Sequence, residues 1–99
     1  MNKLTKFSGL SFHSRGIAYA YDNSDIFMKQ VRVVFNNGFQ LSVIRGLGSY
    51  GGEHGLFEIM LIPKPNGDMG PFQELHDDPL GYLTSQEVMV WIDKIGALP

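Results

Sequence analysis

The glycine-rich segment R-G-L-G-S-Y-G-G-E-H-G at positions 45–55 holds the residues best suited to chemistry or recognition. Between its glycines stand five polar or aromatic residues: Arg45, Ser49, Tyr50, Glu53 and His54. Successive backbone N–H groups in such a segment bind anions, so one interpretation is a phosphate or nucleotide site with Arg45 as charge partner. A second is a plain connection whose glycines permit positive φ. A third is a loop that presents these five residues to a protein partner.

The known phosphate-binding motifs do not match this segment. A P-loop requires a lysine followed by serine or threonine after its last glycine, and neither is present. The dinucleotide-binding motif leads from a strand into a helix, whereas a predicted strand follows here. Ser49 is not a nucleophile elbow for the same reason. The sequence therefore favours the plain connection or the contact loop over nucleotide binding.

A second chemical candidate is the segment E-L-H-D-D at positions 74–78, which could supply ligands for a cation. It lacks the paired-histidine spacings of zinc sites, so a solvated acidic turn is the favoured interpretation of Glu74, His76, Asp77 and Asp78. No catalytic triad can be assembled from the remaining residues. We therefore predict a protein that is not an enzyme and uses no metal or cofactor.

Composition limits the class of protein further. A chain of 99 residues predicts one domain, and the absence of cysteine excludes disulfides and thiolate metal sites. The net charge of −2, with scattered basic residues, makes direct binding of nucleic acid an unfavoured interpretation. No apolar run is long enough to cross a membrane, and no signal peptide is recognisable. We expect a protein of the cytoplasm.

The elements that must position the glycine-rich segment begin with a hairpin. Two strands, at 30–35 and 39–44, flank Asn36-Asn37-Gly38, a strong turn signal. A turn of three residues places the apolar side chains on one face, in the pairs Phe35–Phe39, Val33–Leu41 and Val31–Val43. Gly38 is then predicted to be left-handed. The other face carries Val34 and Ile44 among polar residues.

Further strands are predicted on both sides of this hairpin. The segment 56–62 alternates, with Phe57, Ile59 and Leu61 on one face and Met60 on the other. Ile17, Tyr19 and Tyr21 are predicted to share one face of a strand at 16–21, and a first strand is expected near 7–12. Residues 69–82 look irregular, with a short strand near Phe72.

The last element is a helix with clear end signals. Thr84 and Glu87 form a capping box, and an apolar stripe follows at Val88, Trp91, Ile92 and Ile95. Gly96 is predicted to end the helix as a left-handed C-cap. The predicted fold is α+β: a small antiparallel sheet of three to five strands with one C-terminal helix packed on one face. Residues 29–96 form its ββ-loop-β-α core unit, and residues 1–28 are peripheral.

Two stretches carry a resemblance to a known group of proteins. S-Y-G-G-E-H-G-L-F-E-I, followed by D-D-P-L-G-Y-L-T-S-Q-E-V-M-V-W-I, resembles small bacteriophage and prophage proteins. These share an N-G hairpin, an S-Y-G-G loop and an L-G-x-L-T-x-x-E-V helix start. The resemblance covers about residues 31–96. It implies phage origin and these landmarks, and no catalysis.

Three functions follow as expectations. The first is a phage accessory protein that binds a host or phage protein through the segment 45–55 and inhibits or modulates it, a component of host defence being one such target. The second is binding of a small ligand, such as a nucleotide, by the same segment. The third is a structural homodimer through the outer sheet face, at Val34, Ile44 and Met60.

Overall fold

The computed structural model describes residues 6–13, 16–46, 54–76 and 78–99. Near the N-terminus two short strands, β1 (Lys6–Phe7) and β2 (Leu10–Ser11), form a separate hairpin. Ser8 and Gly9 join them with φ angles of 46° and 88°. Positive φ at both central residues suits a tight two-residue turn. The single strand expected near 7–12 is therefore wrong, because the chain reverses at Gly9.

The main sheet has five antiparallel strands that follow one another in chain order across it. Their bounds are β3 (Ile17–Asp22), β4 (Lys29–Phe35), β5 (Gln40–Arg45), β6 (Phe57–Ile62) and β7 (Leu80–Leu83). β5 lies in the centre of the sheet, with β3 and β7 at its edges. Each strand pairs with the one before it, so every connection is a local turn or loop.

The central hairpin has the register expected from its sequence. Val33 pairs with Leu41 and Val31 with Val43, and the Phe35 N–H donates to the Phe39 carbonyl at 3.0 Å. Gly38 has a φ of 97°, which glycine adopts without strain. The three-residue turn is confirmed. Because this register places Val31, Val33, Phe35, Phe39, Leu41 and Val43 on one face, it fixes which side of the sheet is buried.

β3 departs from the predicted alternation. Ile17 pairs with Phe35, but Tyr19 pairs with Val34, so one extra residue is accommodated between them. This bulge moves Tyr19 and Tyr21 to the face opposite Ile17. The prediction that all three share a face is wrong. Ala20 takes the inward position instead and is fully buried.

The core lies between the sheet and the elements packed on its inner face. Leu10 and Phe12 are buried in the same cluster as the inward side chains of the sheet. Phe7 lies 6.3 Å from Phe57, measured between ring centroids. Within residues 1–28, which the sequence predicted to be peripheral, this hairpin instead closes one end of the core.

Residues 69–82 contain two elements in place of the strand expected near Phe72. A short 3-10 helix covers Gln73–Leu75 and buries Leu75. β7 then pairs with β6 through Leu80–Ile59 and Leu83–Phe57, with a bulge between these pairs. Tyr82 lies in the bulge at a φ of 59°. The bulge hides the alternation that identifies a strand in the sequence, which is why β7 was missed.

The helix α1 spans Ser85–Gly96 and is held at its start by the predicted capping box. The Glu87 N–H donates to Thr84 Oγ1 at 3.2 Å, and the Thr84 N–H donates to Glu87 Oε1 at 3.0 Å. Three of the four stripe residues, Val88, Ile92 and Ile95, have no exposed surface. Trp91 is only partly buried and meets Phe72 edge to face at 5.4 Å. Trp91 therefore lies at the edge of the buried face of the helix.

The helix end differs from the prediction. Gly96 is the last helical residue, and the cap is Ala97 in right-handed conformation, whose N–H donates to the Asp93 carbonyl. The Ala97 and Leu98 N–H groups donate to the Ile95 carbonyl, and Asn37 Nδ2 donates to the carbonyls of Ile95 and Leu98 at 2.8 and 3.0 Å. The β4–β5 turn thus adds a side-chain donor to the last turn of the helix.

The fold class is as predicted: an α+β fold in which one C-terminal helix packs on an antiparallel sheet, here of five strands. The small β1–β2 hairpin is an addition that the sequence did not indicate. Among the residues that the structure describes, no helix is long and apolar enough to cross a membrane.

Candidate functional site

Two loops meet at one end of the main sheet. Lys29, the first residue of β4, pairs with Arg45, the last residue of β5. The β3–β4 loop, residues 23–28, and both ends of the β5–β6 connection therefore leave the sheet side by side. We call this region the loop end. It contains the described parts of the glycine-rich segment that the sequence singled out, residues 45–46 and 54–55.

The loop 23–28 is held by side chains that bond its own backbone. Asp25 Oδ1 accepts hydrogen bonds from the N–H groups of Phe27 and Met28 at 2.7 and 2.8 Å. At its base, the Ser24 N–H donates to Asp22 Oδ1 at 2.8 Å, and the Gln30 N–H donates to Ser24 Oγ at the same distance. Asp, Asn and Ser favour turns because their side chains bond the backbone in this way. These bonds stabilise the conformation of the loop.

This loop carries the most exposed large apolar side chains described in the protein. Ile26 is 91% exposed and Phe27 is 79% exposed. They are adjacent, and we call the pair the apolar tip. Single exposed apolar residues are common on protein surfaces, whereas two large ones together on a fixed loop are typical of a contact site.

The glycine-rich segment begins against this loop. A Cβ atom at Gly46 would lie 2.7 Å from the Met28 sulfur and 3.3 Å from the Phe27 carbonyl oxygen. A larger residue at this position would have to displace the Met28 side chain and press on the loop backbone. Gly46 therefore has a packing role, which places the start of the segment directly beside the apolar tip.

Arg45, one of the predicted site residues, packs over a ring of the core. Its guanidinium carbon is 5.7 Å from the centre of the Phe57 ring. A Cβ atom at Gly55 would lie 3.2 Å from Arg45 Nη2, so Gly55 leaves room for the guanidinium. Gly55 also has a φ of 73°, a conformation that suits glycine. Arg45 thus contributes a positive charge close to the two loops.

The structure describes only one of the other four residues predicted to form the contact loop. His54 is exposed, at the point where the chain returns towards β6. Ser49, Tyr50 and Glu53 lie outside the described residues. Of the five residues predicted for this site, the structure therefore places Arg45 and His54 at the loop end.

The charges around the apolar tip are mixed. Hydrogen bonding from the Ser24 side chain, and then from its backbone N–H, lowers the pKa of Asp22 below its ordinary value of 3.8. Asp22 is therefore a carboxylate at neutral pH, and Asp25 lies on the same loop. Lys29 and Arg45 stand on the neighbouring strands. An apolar centre with a charged rim is the usual arrangement of a protein-binding surface.

In the segment 74–78, considered above for cation binding, two of the described residues make structural contacts. His76 Nε2 is hydrogen-bonded to the Gly70 carbonyl at 2.8 Å, and the neighbouring Leu75 is buried. Glu74 and Asp78 are exposed. Within the described ranges, no group of three or more acidic, histidine or cysteine side chains is arranged to hold a metal ion.

Reasoning from the sequence missed the apolar tip. The signal was present as D-I-F-M at positions 25–28, where two large apolar residues interrupt a polar turn. Such a pair fits neither a helical nor a strand period, so no element buries it. The composition of the glycine-rich segment marks it as a candidate site in the sequence. The apolar tip is recognised only from the exposure of its two side chains in the folded chain.

Comparison of the chain with protein-family models, with curated proteins and with solved structures finds no match.

Proposed function

We propose that this chain is a non-enzymatic accessory protein of bacteriophage origin, which binds a host protein in the bacterial cytoplasm and inhibits or modulates it. The kind of target that we propose is a component of host defence. The phage origin rests on the resemblance described above. The binding function rests on one observation, the exposure of Ile26 and Phe27 at 91% and 79%.

The apolar tip suits a partner with a concave apolar pocket. Burying one large apolar side chain stabilises a complex by about 1.5–3 kcal/mol before the costs of association. The Phe27 and Met28 N–H groups are already bonded to Asp25, so the tip offers side chains and not backbone groups. Its fixed conformation also lowers the entropy that binding must overcome.

Residues of the neighbouring segment extend the same surface. His54 and Arg45 lie at the loop end and provide polar groups around the tip. An apolar anchor surrounded by polar contacts is how energetic hot spots are usually arranged, with aromatic residues among the most frequent anchors. We therefore assign Phe27 the central role in binding and Arg45 and His54 positions on the rim.

Site-specific crosslinking tests this proposal. A photoreactive phenylalanine analogue is placed at position 27 and, as a matched control, at position 90, where Val90 is 52% exposed on the helix. Irradiation in bacterial lysate is expected to give a discrete covalent adduct from position 27 and none from position 90. The captured protein, once purified, should lose affinity for the Phe27→Ser variant by about tenfold or more.

Two results would contradict the proposal. One is equal crosslinking from both positions, which indicates random collision. The other is a captured protein that binds Phe27→Ser as tightly as the original chain. Circular dichroism of the variant shows whether its fold is retained, and little change is expected because Phe27 buries little of its surface.

A further inference from the structure

The dipeptide Asn-Gly occurs twice in the chain, at Asn37-Gly38 and at Asn66-Gly67. This dipeptide is prone to deamidation, because glycine has no side chain to hinder attack by its backbone nitrogen on the asparagine amide. The two pairs lie close together in the fold: a Cβ atom at Gly38 would be 3.5 Å from Lys64 Cγ, on the turn that contains Asn66. The two sites can therefore be compared within one region of the protein.

The two turns have the same pattern of backbone hydrogen bonds. The first residue of each turn donates its N–H to the carbonyl of the fifth at 3.0 Å, from Phe35 to Phe39 and from Lys64 to Asp68. The glycine N–H donates to the carbonyl of the first residue, at 3.2 Å in the first turn and 2.8 Å in the second. In both turns the asparagine Oδ1 accepts the N–H two residues further on, at 3.1 and 3.0 Å. The backbone therefore does not distinguish the two sites.

The side-chain amide nitrogens differ in their contacts. Asn37 Nδ2 donates to the carbonyls of Ile95 and Leu98 at the end of the helix, and Asn37 is half-buried. Asn66 is exposed, and within the described ranges its Nδ2 has no such partner. Deamidation requires the amide to turn towards the glycine nitrogen and Nδ2 to leave. At Asn37 both steps must first break the two bonds to the helix, and at Asn66 they do not.

We propose that Asn66-Gly67 is a site of spontaneous deamidation in the folded chain, and that the helix end protects Asn37-Gly38 from the same reaction. The Gly67 nitrogen gives its proton to solvent and bonds to Asn66 Cγ. The Cγ–Nδ2 bond breaks, and Nδ2 takes a proton from water and leaves as ammonia. Water then opens the cyclic imide at either carbonyl, which gives aspartate or isoaspartate. The proposal does not depend on the apolar tip.

The product alters the turn that follows β6. A neutral amide becomes a carboxylate, so each event makes the net charge of −2 more negative by one unit. Isoaspartate also lengthens the backbone by a CH₂ group. Lys64, whose Nζ lies 5.0 Å from the centre of the Phe39 ring, belongs to the same turn. Because residues 64–68 lie outside the paired strands, we expect the fold to be retained.

Peptide mapping by mass spectrometry tests the proposal. The chain is incubated at neutral pH, both folded and in concentrated urea, and the two sites are followed in the same samples. In the folded chain Asn66 is expected to react faster than Asn37 by about tenfold or more, the factor that one or two hydrogen bonds supply. In urea the two rates should converge. Equal rates in the folded chain, or a folded chain in which neither site reacts while both react in urea, would overturn the proposal.

Gly67→Ala is the matched variant. Nothing lies within 4 Å of a Cβ atom at this position, so the variant is expected to fold, which circular dichroism checks. Its methyl group hinders the attacking nitrogen, so the reaction at Asn66 should slow several-fold while the rate at Asn37 stays the same. An unchanged rate at Asn66 would show that the reaction does not pass through the nitrogen of residue 67 and would refute the proposed chemistry.

Discussion

Asp25 fixes the position of Phe27: its Oδ1 atom accepts a hydrogen bond from the Phe27 N–H at 2.7 Å and a second from the Met28 N–H at 2.8 Å. One carboxylate thereby sets the conformation from which the apolar tip projects. A rigid tip needs to lose little conformational entropy when it enters a pocket. Under the proposed function, the loop would therefore need little rearrangement when it meets its partner.

The Asp25→Ala variant is expected to loosen the tip. Loss of the two hydrogen bonds should lower stability by about 1 kcal/mol and speed amide hydrogen exchange at Phe27 and Met28. Asp68→Ala is the matched control, because Asp68 Oδ1 accepts the Gly70 N–H at 2.9 Å in another exposed turn. Exchange at Phe27 that is unchanged in Asp25→Ala would show that the loop is held by other contacts.

Asn37 joins the central hairpin to the end of the helix. Its Nδ2 donates to the carbonyls of Ile95 and Leu98, and its Oδ1 accepts the Phe39 N–H at 3.1 Å. Asn37→Ala is expected to cost about 2 kcal/mol of unfolding free energy, since it removes three part-buried hydrogen bonds between the hairpin turn, Phe39 and the end of the helix. Urea denaturation measures this loss. Asn66→Ala, which removes one exposed bond to the Asp68 N–H, should cost only about 0.5 kcal/mol.

Gly16 and Gly67 illustrate two different reasons why a position in the chain favours glycine. Both have positive φ, at 96° and 89°, but a Cβ atom at Gly16 would lie 2.6 Å from the Gly96 carbonyl oxygen, whereas nothing lies within 4 Å at Gly67. Gly67→Ala should cost about 1 kcal/mol from backbone strain alone. Gly16→Ala should cost roughly 3 kcal/mol or more, because backbone atoms must also move. Equal losses in thermal unfolding would refute a close contact between β3 and the helix end.

The carboxyl group of Asp22 makes the stability of the fold depend on pH. Its pKa is lowered in the folded state by the Ser24 side chain and then by the Ser24 backbone N–H. A lowered folded pKa means that the contribution to stability is complete above the unfolded pKa and is lost as the pH falls through the folded one. NMR titration should therefore find the pKa of Asp22 below 3.8, and Ser24→Ala should raise it towards that value. An unchanged pKa in Ser24→Ala would exclude the serine hydroxyl as the main cause.

The central part of the fold could be predicted because local and global signals agree there. The turn at Gly38 and the pairing of Phe35 with Phe39 follow from one requirement, that the apolar side chains share a face. The capping box at Thr84 and Glu87 is equally local. These elements depend on neighbours in the sequence, and they were predicted correctly.

The elements that failed depend on distant contacts or on irregular backbone. Gly96 resembles a left-handed cap in the sequence, but Asn37, far away along the chain, supplies the donor that changes the helix end. β3 and β7 both contain bulges, which break the alternation that a pattern search requires. The apolar tip was missed because exposure is a property of the folded chain. The contact role predicted for the glycine-rich segment stays a prediction, and Ser49, Tyr50 and Glu53 lie outside the described residues.

The bulges at both margins of the sheet have one more consequence. A regular edge strand can accept another strand without limit, and this is the route by which sheets polymerise into fibres. Here the register shifts in β3 next to Tyr19 and in β7 at Tyr82, so neither margin offers a regular ladder to an incoming strand. Such edges allow a small β-rich protein to reach high concentration in a cell while its encounters remain limited to side-chain surfaces.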